Sequence, residues 1–124
     1  MQPDRGTRAE VNLDAITNNI KAARKNLKPG TKLCAVVKAN AYGHGVVPVA
    51  VTCMEAGVDY FAVALVQEAV ELREAGITKP VLVLGAMPVR PSMADLCVKY
   101  DIAHAVFDEE RLNLLIEAGL RRGK

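Results

Sequence analysis

The feature that most constrains the fold is an alternation of short apolar runs with helical patterns. Four runs of small and branched apolar residues begin at positions 33, 60, 81 and 103, at intervals of 21 to 27 residues. Apolar and polar residues do not alternate within them, which is typical of strands buried on both faces of a parallel sheet. Such intervals leave room for one helix between successive strands. The sequence therefore predicts strands at 33–37, 60–64, 81–84 and 103–107.

Apolar residues at helical spacing fill the intervals and also precede the first strand. The predicted helices cover 13–27, 48–56, 66–74, 91–100 and the segment from Asp108 onward. Asp14 is placed to cap or charge the start of the first helix, and Pro29-Gly30 to end it. Glu-Ala-Gly recurs at 55–57, 74–76 and 117–119, and each glycine is predicted to end a helix in a left-handed conformation. Two α/β architectures fit this order: a doubly wound sheet, or consecutive units of a (β/α)8 barrel.

Composition narrows the class of protein. Hydrophobic residues make up 51% and charged residues 24% of the 124 residues, which is typical of a folded globular domain, and the net charge of +2 gives no reason to expect nucleic acid or a membrane as partner. The chain has three cysteines, Cys34, Cys53 and Cys97, and no two of them have the close spacing of a metal-binding or disulfide motif. We therefore expect no metal site, and we expect each cysteine to be a small core residue. The polar start lacks the apolar region of a secretory signal, which favours the cytoplasm.

Lys38 directly follows the first predicted strand, where loops of parallel α/β folds form the functional face. It has two interpretations. Its methylenes can cover a rim while the ammonium stays in water. Alternatively, it lies in a partly desolvated pocket at the ends of the strands, where the loss of hydration disfavours the charged ammonium. The neutral amine can then attack an aldehyde such as that of pyridoxal phosphate (PLP).

The loop after Lys38, Asn-Ala-Tyr-Gly-His-Gly at 40–45, favours a ligand. Tyr42 offers a hydroxyl that can donate to a phosphate oxygen or a ring that packs, and two glycines allow close backbone approach. His44 is either a base or a turn residue facing solvent.

The segment AVVKANAYGHG at 35–45 resembles the PLP-attachment motif of bacterial alanine racemases, which are fold-type III PLP enzymes. Residues 8–20 resemble that family's opening strand and first helix, and residues 67–87 the stretch through its third barrel strand. The resemblance implies a partial (β/α)8 TIM barrel of about four βα units. On that basis residues 1–124 are the N-terminal portion of the PLP-binding barrel domain, without the second half of the barrel and the C-terminal β domain.

The resemblance also implies roles for individual residues. Lys38 would form the Schiff base with PLP and act as a base at the substrate Cα, and Tyr42 would contact the cofactor phosphate. Val36 and Leu84 would line the cofactor ring, and no metal is involved. The reaction would be interconversion of L-alanine and D-alanine, which supplies D-alanine for peptidoglycan. The family is a homodimer in which the partner subunit contributes a tyrosine as the second base, and neither that tyrosine nor the arginine facing the pyridine nitrogen matches a residue here.

Alternatives remain at this point. Racemases for serine or lysine share much of the motif. The chain could instead be a PLP-binding or assembly fragment without racemisation, which pairs with a second fragment, or an α/β fragment without a ligand in which Lys38 is a rim residue.

Overall fold

The computed structural model describes residues 6–124. The first five residues, which belong to the polar start of the sequence, lie outside the described residues. Every strand and helix predicted from the apolar patterns is present within the described residues, and each of these strands is shorter than predicted. In chain order the elements are α1 (Leu13–Lys25), β1 (Cys34–Val36), α2 (Lys38–Tyr42), α3 (Val46–Glu55), β2 (Tyr60–Val63), α4 (Val66–Glu74), β3 (Val81–Val83), α5 (Pro91–Lys99), β4 (Ala103–His104) and α6 (Glu109–Arg122).

The four strands form one parallel sheet in the order β1-β2-β3-β4. Val36 pairs with Ala62, Ala62 with Leu82, and Leu82 with Ala103. Each strand therefore lies beside the next one in the chain, as in successive units of a barrel. A doubly wound sheet reverses its strand order at a switch point, and this sheet does not. The fold is α/β with the order of a partial TIM barrel.

Helices cover one face of the sheet, and the other face is largely exposed. Phe61, Val63, Val81 and Val83 lie on the helix-covered face and are almost completely buried. The opposite face, which we call the open face, carries Val36, Tyr60 and Leu84, all exposed, and also Cys34. On the open face, burial was therefore wrong for Val36, Tyr60 and Leu84 but holds for Ala62, which is 2% exposed. A core role for Cys34 was also wrong, and Cys53 and Cys97 are buried as predicted.

The start of α1 agrees with the prediction that Asp14 caps or charges it, whereas the end of the helix differs. Asn12 is the N-cap, because its Oδ1 accepts the N–H of Ala15 at 3.1 Å, while Asp14 lies in the first turn. The helix stops at Lys25 with Asn26 as C-cap, ahead of Pro29-Gly30. Residues 8–12, matched to an opening strand, form no strand here.

The Glu-Ala-Gly prediction holds for two of three sites. Gly57 follows the end of α3 with φ of 96°, and Gly76 follows the end of α4 with φ of 88°. Gly119 instead lies inside α6, and the left-handed residue that ends this helix is Gly123, with φ of 67°. The helix closes only after Arg122, where the N–H groups of Gly123 and Lys124 donate to Leu120 O and Gly119 O.

Apolar side chains are also exposed beside the β4 edge. Leu112, Ile116 and Leu120 form a stripe along α6, and the preceding loop exposes Val106 and Phe107. None of the helices formed by residues 6–124 has both the length and the apolar character needed to cross a membrane.

Two carboxylates stabilise loops at opposite ends of the sheet. Asp59 accepts the N–H of Leu33 at 2.7 Å and pairs with Arg24 at 2.8 Å. Asp108 caps α6 by accepting the N–H of Arg111 at 2.9 Å and also binds the Arg111 guanidinium. In each case the hydrogen bond from the backbone N–H contributes most, and the arginine contributes less, to lowering the pKa of the carboxyl below its usual range.

These lowered pKa values predict a loss of stability in acid. A carboxyl with a lower pKa in the folded state adds stability that is present above about pH 4 and is lost as the pH falls through the folded-state pKa. We therefore expect the free energy of unfolding, measured by urea titration, to fall as the pH is lowered from about 4 to 2. An Asp59→Asn, Asp108→Asn double variant should show a flatter decline, and an equal decline would contradict the assignment.

Candidate active site

Lys38 lies at the carboxyl end of β1, one residue beyond Val37, whose N–H donates to Ala62 O at 2.9 Å. The sequence placed it there correctly. The side chain is exposed, so the partial desolvation on which one interpretation depended is not present in this chain. Any activation of this amine must therefore come from position and from what covers the open face.

The backbone after Lys38 forms a left-handed turn, α2. Ala39, Asn40, Ala41 and Tyr42 have φ values of 50°, 55°, 54° and 56°. A left-handed helical residue other than glycine costs about 1–2 kcal/mol, and such strain concentrates at functional sites. Sequence patterns gave no sign of this turn, since only Gly43 and Gly45 were expected to adopt unusual backbone angles.

Hydrogen bonds of side-chain and backbone groups within the loop hold this turn. Asn40 Oδ1 accepts the N–H of Val46 at 2.8 Å, which ties the turn to the start of α3. Asn40 O accepts the N–H groups of Gly43 and Gly45 at 3.1 and 3.0 Å. His44 is an exposed turn residue whose Nδ1 lies 3.1 Å from Ala41 O, in agreement with the solvent-facing interpretation.

The turn brings Tyr42 back beside Lys38. The Lys38 Nζ lies 5.9 Å from the centre of the Tyr42 ring, within the range of a cation–π contact. The ring is 60% exposed, so it does not serve as a core residue. An amine and a phenol hydroxyl are thus presented together to solvent at the end of β1.

Val36 and Leu84 supply apolar surface on the open face. Val36 ends β1 and Leu84 follows β3, and alternation along the strands places both on the same face as Ala62 and Leu82. Their exposed fractions are 41% and 43%. The structure therefore gathers Lys38, Tyr42 and two apolar side chains at the carboxyl ends of neighbouring strands.

Sequence reasoning assigned no role to Glu68. Its Oε1 accepts the N–H groups of Ala64 and Leu65 at 3.0 and 2.8 Å, and its Oε2 accepts the N–H of Ala39 at 2.6 Å. A glutamate three residues after the N-cap Leu65 is the spacing of a capping box, which was the available signal for the first two contacts. The contact with Ala39 had no signal in the sequence.

A cavity of about 360 Å³ lies between the start of α4 and the 86–88 loop. It is bounded by Gln67, Met87 and His104 and contains none of the predicted site residues. His104 Nε2 is buried without a hydrogen-bond partner among the described residues.

A family model described as "Alanine racemase, N-terminal domain" matches residues 11–124, which include the whole site. The chain belongs to the alanine racemase N-terminal domain family. Its membership agrees with the strand order and with the lysine at the end of β1.

Individual relatives show the same family. An alanine racemase of Treponema denticola is 51% identical over 109 residues, covering 88% of this chain and 28% of the relative. Among solved structures, the alanine racemase of Streptomyces coelicolor matches with a TM-score of 0.84 at 32% identity, over 94% of this chain and 30% of its own. A Bacillus anthracis alanine racemase solved with bound L-Ala-P matches with a TM-score of 0.79 at 44% identity, over 87% and 28%. The chain thus spans less than a third of the length of these relatives.

Proposed function

We propose that this chain is the lysine-bearing part of a PLP-dependent alanine racemase, which interconverts L-alanine and D-alanine. The observation that carries the proposal is the pairing of Lys38 with Tyr42 by a left-handed turn at the carboxyl end of β1. Family membership supports alanine as the substrate, because the matched relatives are named alanine racemases.

The donor set fits this cofactor. The Lys38 amine would hold PLP covalently at its aldehyde carbon, with loss of water. Val36 and Leu84 offer apolar surface to an aromatic ring, and the Tyr42 hydroxyl donates to a phosphate oxygen. When bound, PLP supplies the electron sink that weakens the Cα–H bond of the amino acid. The Lys38 amine would then hold or return the proton at the substrate Cα on one face.

Inversion at Cα needs a second base on the opposite face. We place that base outside this chain, together with further βα units that cover the open face and the α6 stripe. The exposed Val36, Leu84 and Ile116 support this proposal, since apolar surfaces of this kind mark contact sites. In this proposal residues 1–124 are the first portion of the barrel domain of a cytoplasmic homodimer that supplies D-alanine for peptidoglycan.

The test is covalent trapping. The chain is mixed with PLP and reduced with borohydride, and the modified lysine is identified by peptide mass spectrometry. We expect the pyridoxyl group mainly on Lys38, and Lys38→Ala should lower total incorporation about tenfold relative to the parent chain.

Lys99→Ala is the matched control, because Lys99 also lies near a tyrosine ring, at 5.1 Å from that of Tyr100, but outside the site. It should leave incorporation unchanged. Equal trapping by Lys38→Ala and the parent chain would remove the proposed role of Lys38. Racemisation of L-alanine by the chain alone would show that no second base from elsewhere is needed.

A further inference from the structure

Glu68 links the ends of two neighbouring strands through a single carboxylate. One oxygen accepts the N–H groups of Ala64 and Leu65, directly after β2, and the other accepts the N–H of Ala39, directly after Lys38. The Ala39 contact is the shortest of the three at 2.6 Å and joins residues 29 positions apart in the sequence. Short bonds of this kind are typical of charge-assisted hydrogen bonds.

The Ala39 contact acts on Lys38 through the peptide plane that they share. A peptide group is planar, so fixing the N–H of Ala39 also fixes the carbonyl carbon of Lys38 and hence its ψ angle. On the other side of Lys38, Val37 O accepts the N–H of Ala41 at 3.0 Å. Both peptide planes that flank the Lys38 Cα are therefore hydrogen-bonded, and the direction of its Cα–Cβ bond is set.

The exposed side chain of Lys38 makes this backbone anchoring more important. No burial of Lys38 restricts the base of its side chain. Its orientation toward the open face depends instead on the backbone bonds, of which Glu68 supplies the one from outside the turn.

We infer that Glu68 is a positioning residue for Lys38, which holds the left-handed turn so that the lysine amine and the Tyr42 hydroxyl are presented together to PLP. This inference rests on the proposed function. Glu68 does not touch the reacting atoms in this role; it acts through the peptide between Lys38 and Ala39.

Glu68→Gln tests the link with almost no change in shape. The amide has one oxygen that accepts and one nitrogen that only donates, so it cannot serve both Ala39 and the Ala64–Leu65 pair. Glu71→Gln is the matched control, because Glu71 lies three residues further along α4, is exposed, and has no side-chain hydrogen bond or ion pair with the described part of the chain.

The first measurement needs no cofactor. In the full chain, the amide proton of Ala39 should lose its protection from hydrogen exchange in Glu68→Gln and keep it in Glu71→Gln. Unchanged protection in both variants would overturn the inference, since the bond would then not hold the turn.

The second measurement is selective labelling. With PLP and borohydride, Glu68→Gln should lower incorporation at Lys38 about tenfold relative to Glu71→Gln, while other lysines are labelled as before. The induced circular dichroism of the cofactor band should fall with it, because that signal requires a fixed orientation. Thermal unfolding of both variants, followed alongside, identifies any loss caused by unfolding, which would raise labelling at all lysines together.

The outcomes separate the two proposals. If the parent chain shows no preference for Lys38, the proposed function fails and this inference fails with it. If the parent labels Lys38 and Glu68→Gln labels it equally well, only the positioning role is wrong.

Discussion

Arg73→Met is expected to lower the free energy of unfolding by about 3–4 kcal/mol, because the one guanidinium of Arg73 donates hydrogen bonds to four backbone carbonyls. Arg73 donates to Ile77 O and Lys79 O, both at 2.7 Å, in the loop that enters β3. It also donates to Tyr100 O at 2.8 Å and Asp101 O at 2.9 Å, in the loop that enters β4. Methionine keeps much of the volume but donates to none of them.

The expected loss of free energy is smaller than the sum of four separate hydrogen bonds, because the carbonyls left without a partner are partly hydrated again. A typical domain is stable by about 5–15 kcal/mol, so a loss of this size is a large fraction of the total. Urea and thermal unfolding measure it directly. Arg121→Met is the control, since it removes the same group from an exposed pair with Asp95 and should cost less than about 1 kcal/mol. Equal midpoints for the two variants would contradict the role of Arg73.

Gly85→Ala is expected to cost about 2–3 kcal/mol for a steric reason. A Cβ at position 85 would lie 2.3 Å from Ala64 O, a backbone atom at the end of β2 that cannot move alone. The N–H of Gly85 donates to that same oxygen at 3.1 Å, and Leu84 N–H donates to Val63 O at 2.8 Å. The added methyl should separate β2 from β3 at the end of the sheet that carries the candidate site.

Gly30→Ala separates this clash from ordinary glycine strain. Gly30 has φ of +84° with open space around its Cβ position, so its replacement should cost only about 1 kcal/mol. Chemical denaturation gives both values, and hydrogen exchange at Leu84 and Gly85 shows whether the strands separate there. A smaller loss for Gly85→Ala than for Gly30→Ala would contradict the clash.

The candidate site was only partly predictable from the sequence. Lys38, Tyr42, Val36 and Leu84 were placed from the order of strands and from resemblance, and the structure gathers them at the carboxyl ends of β1 and β3. Their roles toward a cofactor remain predictions. The left-handed turn could not be predicted, because four consecutive non-glycine residues with positive φ contradict local preferences and persist only when their surroundings hold them.

Local sequence determined the elements of this protein. The order of helices and strands, the start of the last helix near Asp108 and the lysine after the first strand can be read from residue patterns that span only a few positions. The family follows from the same residues, since its motif is continuous in the chain.

Only the tertiary structure decided what holds those elements together. Glu68 reaches Ala39, Arg73 joins two loops, and Gly85 lies against Ala64. The Glu68–Ala39, Arg73–Tyr100 and Gly85–Ala64 contacts each join residues more than twenty positions apart, so they depend on how strands and helices pack and leave no periodic trace in the sequence. The open face has the same origin: an apolar strand pattern records that a side chain avoids water, but packing decides which face is covered.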